Sequence, residues 1–338
     1  MKTGTKIVLL IGILLLAFGL TLLQIAHHRG VSFNAGVKIP GIHTVSGLNY
    51  DQQGYAVLRD GEERFSAKEV EALELDWLSG SVTVESYDGA ELIVREKASA
   101  ALSEDESLRF RLSGGTLSIL PCANNVRSLP EKQLTVLVPR GLTLSGAESG
   151  AASASVTLRS LEVSGAIRLA SVSGSLHVED CRCAALALSG GSGSQHILRT
   201  DVSGNVDADG ISGSFTADTL SCAALDVDST SGSHKISDLR CDTLRLSSVS
   251  GSQRASALDC REIEASSTSG SVRLAFAAAP GRVEVETTSG SVTLSFPRGT
   301  GIDLDFDRTS GSLHGDPIRG SIPVDVETTS GSLTIEYK

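Results

Sequence analysis

Through the second half of the chain, apolar and polar positions alternate for a few residues, lose phase at a Ser-Gly-Ser triplet, and resume one step out of register. Alignment on the glycines turns this into columns. Seven positions before each stand Leu186, Val206, Leu225, Leu244, Ile263, Val283, Leu304 and Val324; two residues later come Leu188, Ala208, Val227, Leu246, Ala265, Val285, Phe306 and Val326. Period-two alternation of this kind predicts a strand with one face inward. After the glycine the apolar columns fall two and four residues on, as in Leu176 and Val178, Val272 and Leu274, or Leu333 and Ile335. Inward parity therefore flips across the triplet, so one residue belongs to neither pleat. That predicts a corner or bulge, where glycine accepts positive φ and close approach of a neighbouring backbone.

The triplet is centred on Gly174, Gly193, Gly213, Gly232, Gly251, Gly270, Gly290, Gly311 and Gly331, at intervals of 19 to 21 residues. So constant a period predicts an all-β fold, a parallel β-solenoid whose rungs stack about 4.8 Å apart. The flanking serines suit the bend, since short hydroxyl side chains satisfy nearby backbone groups. Leu73, Leu75 and Trp77 before Gly80, with Val82 and Val84 after it, repeat the unit once near the start. Residues 70–140 are expected to form an irregular β region or cap, with short strands around 92–95, 108–112, 117–120 and 134–138, and 141–338 the repeat domain.

Ahead of this lies a different pattern. Lys2 and Lys6 precede an unbroken, mostly apolar run from Ile7 to Ala26, long enough to cross a bilayer as a helix. It predicts a cytoplasmic tail over 1–6, a single transmembrane helix over 7–26 and a juxtamembrane linker over 27–69. The protein is then a single-pass cell-membrane protein with its repeats outside the cytoplasm. A removed signal peptide is the alternative. Net charge of −11 argues against nucleic acid as a partner.

Used as a ruler, the triplet places the remaining chemistry. Glu264, Glu284, Asp305 and Asp325 share one outward column; Glu286, Asp307 and Glu327 share the next. Like charges stacked at strand spacing stay solvated, meet a basic partner or hold calcium. Lys235, Arg254 and Arg273 form a basic stripe three residues after their glycines, suited either to an anionic wall polymer or to plain surface protection. Cys222, Cys241 and Cys260 stack ten before theirs, as buried thiols or with one disulfide. His177 and His196 lack a third ligand, the serines lack a recurring base, and no metal, cofactor or catalytic residue is assigned.

The opening Asp-Trp-Leu-Ser-Gly-Ser-Val-Thr-Val-Glu (76–85), the segment Gln-Leu-Thr-Val-Leu-Val-Pro-Arg-Gly (133–141) and the train of Thr-Ser-Gly-Ser-Val/Leu units together resemble the bacterial putative-adhesin family of β-strand-repeat domains. The resemblance covers about residues 70–338. It implies an extracytoplasmic β-solenoid that is not an enzyme and meets a cell-envelope or surface protein or glycan. It names no ligand. The alternatives are an envelope-stress sensing protein and, less favoured by the regular columns, a carbohydrate-active β-helix enzyme.

Overall fold

The computed structural model describes residues 50–338, except 125 and 127. The tail, the expected membrane helix over 7–26 and the linker as far as residue 49 lie outside the described residues. Among the described residues every regular element is a strand, and no helix is long and apolar enough to cross a membrane. The chain divides into two compact units, whose described parts are residues 50–183 and 184–338. Each is a stretch of parallel β-solenoid.

In the first unit, the rung formed by Ala72–Trp77 and Gly80–Tyr87 lies between two others. On one side it pairs in parallel with Gly146–Ala151 and Ser155–Arg159, and on the other with Thr116–Leu120 and Lys132–Pro139. The outer of these rungs is then covered by antiparallel strands. Arg109–Ser113 closes on Thr116–Leu120, Glu91–Ala98 on Lys132–Pro139, and Glu62–Ser66 on Glu91–Ala98. Trp77, Leu92, Leu117 and Leu134 are sealed beneath this cover.

In the second unit the column predicted seven residues before the glycine is continuous: Leu186, Val206, Leu225, Leu244, Ile263 and Val283 pair rung to rung in register. All are buried, as are Ile236, Leu274 and Leu294 beyond the corner. The flip of inward parity is therefore real. Gly213, Gly232, Gly251, Gly270, Gly290 and Gly311 have φ between 126° and 157°. A Cβ on Gly251 would overlap the carbonyl oxygen of Gly232 in the rung below, and the same holds up the stack. The corner therefore needs glycine for both conformation and space.

Two features depart from a chain that simply coils upward. A second corner follows each glycine by six residues in the rungs from Gly174 to Gly251, made by Asp180, Arg199, Thr219, Asp238 and Ala257 at φ between 45° and 55°. None is glycine, so the pattern carries no signal there. The other departure is in stacking order. Arg282–Ser289 pairs with Ile322–Ser330, which pairs on its far side with Ile302–Ser310. The rung of Gly331 therefore lies between those of Gly290 and Gly311. Phe276, Phe296 and Tyr337 confirm the order as a ring ladder, with centroids 4.8 and 6.2 Å apart.

Candidate functional sites on the repeat faces

The non-sequential stacking reorders the acidic columns. The first runs Glu264, Glu284, Asp325, Asp305, and the second Glu286, Glu327, Asp307. The first is partly neutralised: Arg245 reaches Glu264 at 3.1 Å, and Arg282 lies 3.0 Å from Glu284 and 3.3 Å from Asp325. Carboxylates of the second column are exposed and form no ion pair with a described residue. They flank a trough of about 410 Å³ whose other side is the threonine row Thr268, Thr288, Thr329 and Thr309. Among the described residues no three His, Cys, Asp or Glu side chains converge where a metal ion would sit.

Lys235, Arg254 and Arg273 occur side by side on adjacent strands, as the spacing implied. None is ion-paired with a described residue. Arg254 and Arg273 line a second shallow trough of about 430 Å³, together with Ser256, Thr293, Thr334, Glu336 and Lys338. The carboxyl of Glu336 is held below the usual carboxylate range, chiefly by hydrogen bonds from Lys338 and Ser295. The floor of this trough carries two unpaired guanidinium groups and a line of hydroxyls at strand spacing. Such a floor can hold a chain of anionic groups more readily than it can convert a small substrate.

A third acidic cluster lies in earlier rungs than those the sequence pattern singles out. Asp207 pairs with Asp226 and Asp209 with Asp228 on adjacent strands, in the same two columns. Burial, aided by the neighbouring aspartates, pushes Asp209 and Asp226 up to about 6. Inside the same rungs the corner encloses polar groups. His234 is 1% exposed, with Nε2 2.8 Å from the Ser229 hydroxyl, and burial lowers its pKa to about 4. Gln253 donates to Ser248 at 3.1 Å and to the Ser266 carbonyl at 2.7 Å. The signal was present in the sequence, since both break the apolar column two residues after the glycine.

All six cysteines are buried free thiols. Cys241 lies 2.9 Å from Cys260 between sulfurs. Hydrogen bonding of the Cys241 thiol with Cys222 and Cys260, and then burial, favour the protonated form and drive its pKa far upward, which leaves it a poor nucleophile. Serines of the triplets stand at the corners without a histidine or carboxylate that repeats beside them.

Comparison with known proteins adds the lineage. The Toastrack DUF4097 family model matches residues 70–336. Among solved structures, a putative adhesin from Parabacteroides distasonis is similar at 12% identity, covering 82% of this chain and 98% of its own, with a TM-score of 0.42. Another from Parabacteroides merdae has 12% identity, coverage of 82% and 95%, and the same TM-score of 0.42. A putative adhesin from Bacteroides fragilis has 14% identity, coverage of 81% and 95%, and a TM-score of 0.36. No curated protein matches the chain.

Proposed function

We propose that this chain, which belongs to the Toastrack DUF4097 family, is a non-enzymatic, adhesin-like interaction protein of the bacterial cell envelope. The apolar run from Ile7 to Ala26 anchors it, and the repeats face away from the cytoplasm. The observation that carries this reading is the row of Lys235, Arg254 and Arg273, unpaired and in register on successive strands. Charge repeated at strand spacing over a shallow, hydroxyl-lined trough suits a polymer with recurring anionic groups, such as an anionic wall glycan. Extended solenoid faces serve as binding surfaces in this way. A catalytic site would need acid, base and nucleophile brought to one point, which these regular columns do not do.

Retention of wall material by the immobilised full-length chain in detergent tests the reading. A phosphodiester-rich wall fraction should be held at low salt and released at high salt. The Arg254→Glu/Arg273→Glu variant should bind about ten-fold more weakly, the effect of roughly 1.4 kcal/mol. Equal retention by the variant, or hydrolysis of the polymer by the chain, would refute it.

A further inference from the structure

The two units end differently. In the first, the outer rung is closed by antiparallel strands on both of its segments. In the second, the outermost rung among the described residues is Ile302–Ser310 with Leu313–His314, and its strands pair with described strands on one side only. Its other edge is touched among the described residues at a single place, where Ile302 donates to the Ile318 carbonyl at 2.8 Å and accepts from Gly320 at 3.0 Å. From Asp303 onward no described residue pairs with this edge. The side chains register the loss of a neighbour. Val324, Val326 and Leu333 in the rung beneath are 0 to 1% exposed, whereas Leu313 is 37% exposed and Leu304 and Phe306 are only half-buried.

An open, apolar strand edge is a template for another strand, and proteins normally cover or charge it. Here the charge is selective. Asp303, Asp305 and Asp307 alternate with Leu304 and Phe306 along the rung, while Arg308 is folded back over the Phe306 ring at 4.6 Å. A second copy pairing antiparallel about Phe306 would set Asp305 against Asp307 of its mate, and like charges directly opposite are destabilising. Stacking of one chain on the start of another as a further rung meets no free rung there, because the outer rung of the first unit is already covered by antiparallel strands. The edge therefore rejects its own kind and keeps its apolar row available.

We propose that the open edge of residues 303–314 is a β-augmentation site for a partner polypeptide, an extended segment alternating basic and aliphatic side chains. Its backbone continues the sheet, its aliphatic residues cover Leu304, Phe306 and Leu313, and its lysines or arginines stand beside Asp303, Asp305 and Asp307. Main-chain hydrogen bonds supply affinity in this mode, and alternate side chains supply specificity. The inference rests on the reading of the chain as an interaction protein, but it concerns a different surface from the basic trough.

The probe is a synthetic peptide of alternating lysine and valine, with a block-ordered peptide of the same composition as control, added to the full chain under hydrogen exchange. Slowed exchange confined to residues 303–314 with the alternating peptide alone is the expected result. The Asp303→Asn/Asp305→Asn/Asp307→Asn variant should keep its melting temperature and bind about ten-fold more weakly. Equal protection by the block peptide, protection along Glu286 and Glu327 instead, or undiminished binding by the variant would overturn the proposal. So would finding the edge already protected without peptide, by a second copy or by residues 1–49. A chain that retains wall polymer yet ignores the peptide refutes this site and leaves the proposed role standing.

Discussion

The ammonium of Lys132 lies 2.6 Å from the carboxylate of Glu96, with both side chains 2 to 3% exposed. The pair sits at the capped end of the first unit. Lys132 also donates to the carbonyls of Glu106 and Pro121 and lies 5.0 Å from the Trp77 ring centroid, while Glu96 accepts the Leu108 amide at 3.0 Å. Burial lowers the Lys132 pKa and the Glu96 charge works against that shift. Every donor of the ammonium is thus matched.

Removing one partner leaves a buried charge alone. Lys132→Met should destabilise the chain by about 3 to 5 kcal/mol, whereas pairing it with Glu96→Leu should recover much of that loss. Urea midpoints of the wild type and the two variants check this. A double variant as weak as the single would show that the pair contributes more than mutual compensation.

At the corners, Gly251→Ala places a methyl group on the carbonyl of Gly232 and in a conformation that L-residues avoid. The expected loss is about 3 kcal/mol, from strain and overpacking together. Gly299→Ala offers the comparison, because its Cβ meets open space although its φ is 80°. The melting temperature should fall clearly less for Gly299→Ala.

Acid has opposing effects in the rungs of Gly213 and Gly232. His234 has a folded pKa of about 4, below that of the unfolded chain, so its contribution is complete above about pH 6.5. It is lost as pH falls toward 4, by roughly 3 kcal/mol. Asp209 has a folded pKa of about 6, above the unfolded value, so protonation adds stability as pH falls through the same window. His234→Gln should therefore make the chain relatively more stable at acid pH, and Asp209→Asn less. Denaturation midpoints at about pH 7 and about pH 4.5 that move in parallel for all three proteins would contradict the assignment.

Six thiols should titrate with a disulfide reagent in denaturant without reductant, because all six cysteines are free and buried. Before denaturation the reagent should find almost none, since burial raises Cys181 to about 11 and Cys183 to about 12. A count of four would place a bridge in the chain.

The columns were legible because burial and strand period both act on every residue. Leu225, Val227 and Ile236 fall where alternation puts them, and the parity flip located the corner at Gly232. The second corner was not legible, because Asp180, Arg199, Thr219, Asp238 and Ala257 share a backbone conformation and no chemistry. Stacking order was hidden for the opposite reason: near-identical rungs present near-identical surfaces, so spacing does not say which neighbour each one meets. The basic stripe was readable since Lys235, Arg254 and Arg273 lie in rungs that follow one another. The acidic columns were readable as membership but not as order in space, and they extend back to Asp207, Asp209, Asp226 and Asp228, which pair in register in earlier rungs.

The insertion of the last rung has a bearing on how the protein is made. Repeat arrays zip from one layer to the next, each new layer docking on the one just formed. Here Ile302–Ser310 leaves the synthesising machinery before the layer that supports it, Ile322–Ser330, exists. The outermost layer must wait for Ile322–Ser330 and Leu333–Tyr337 to slide in beneath it. A chain cut short after Ser321 would therefore not lose its tip; it would lose an inner layer and leave Arg282–Ser289 and Ile302–Ser310 facing each other across a gap.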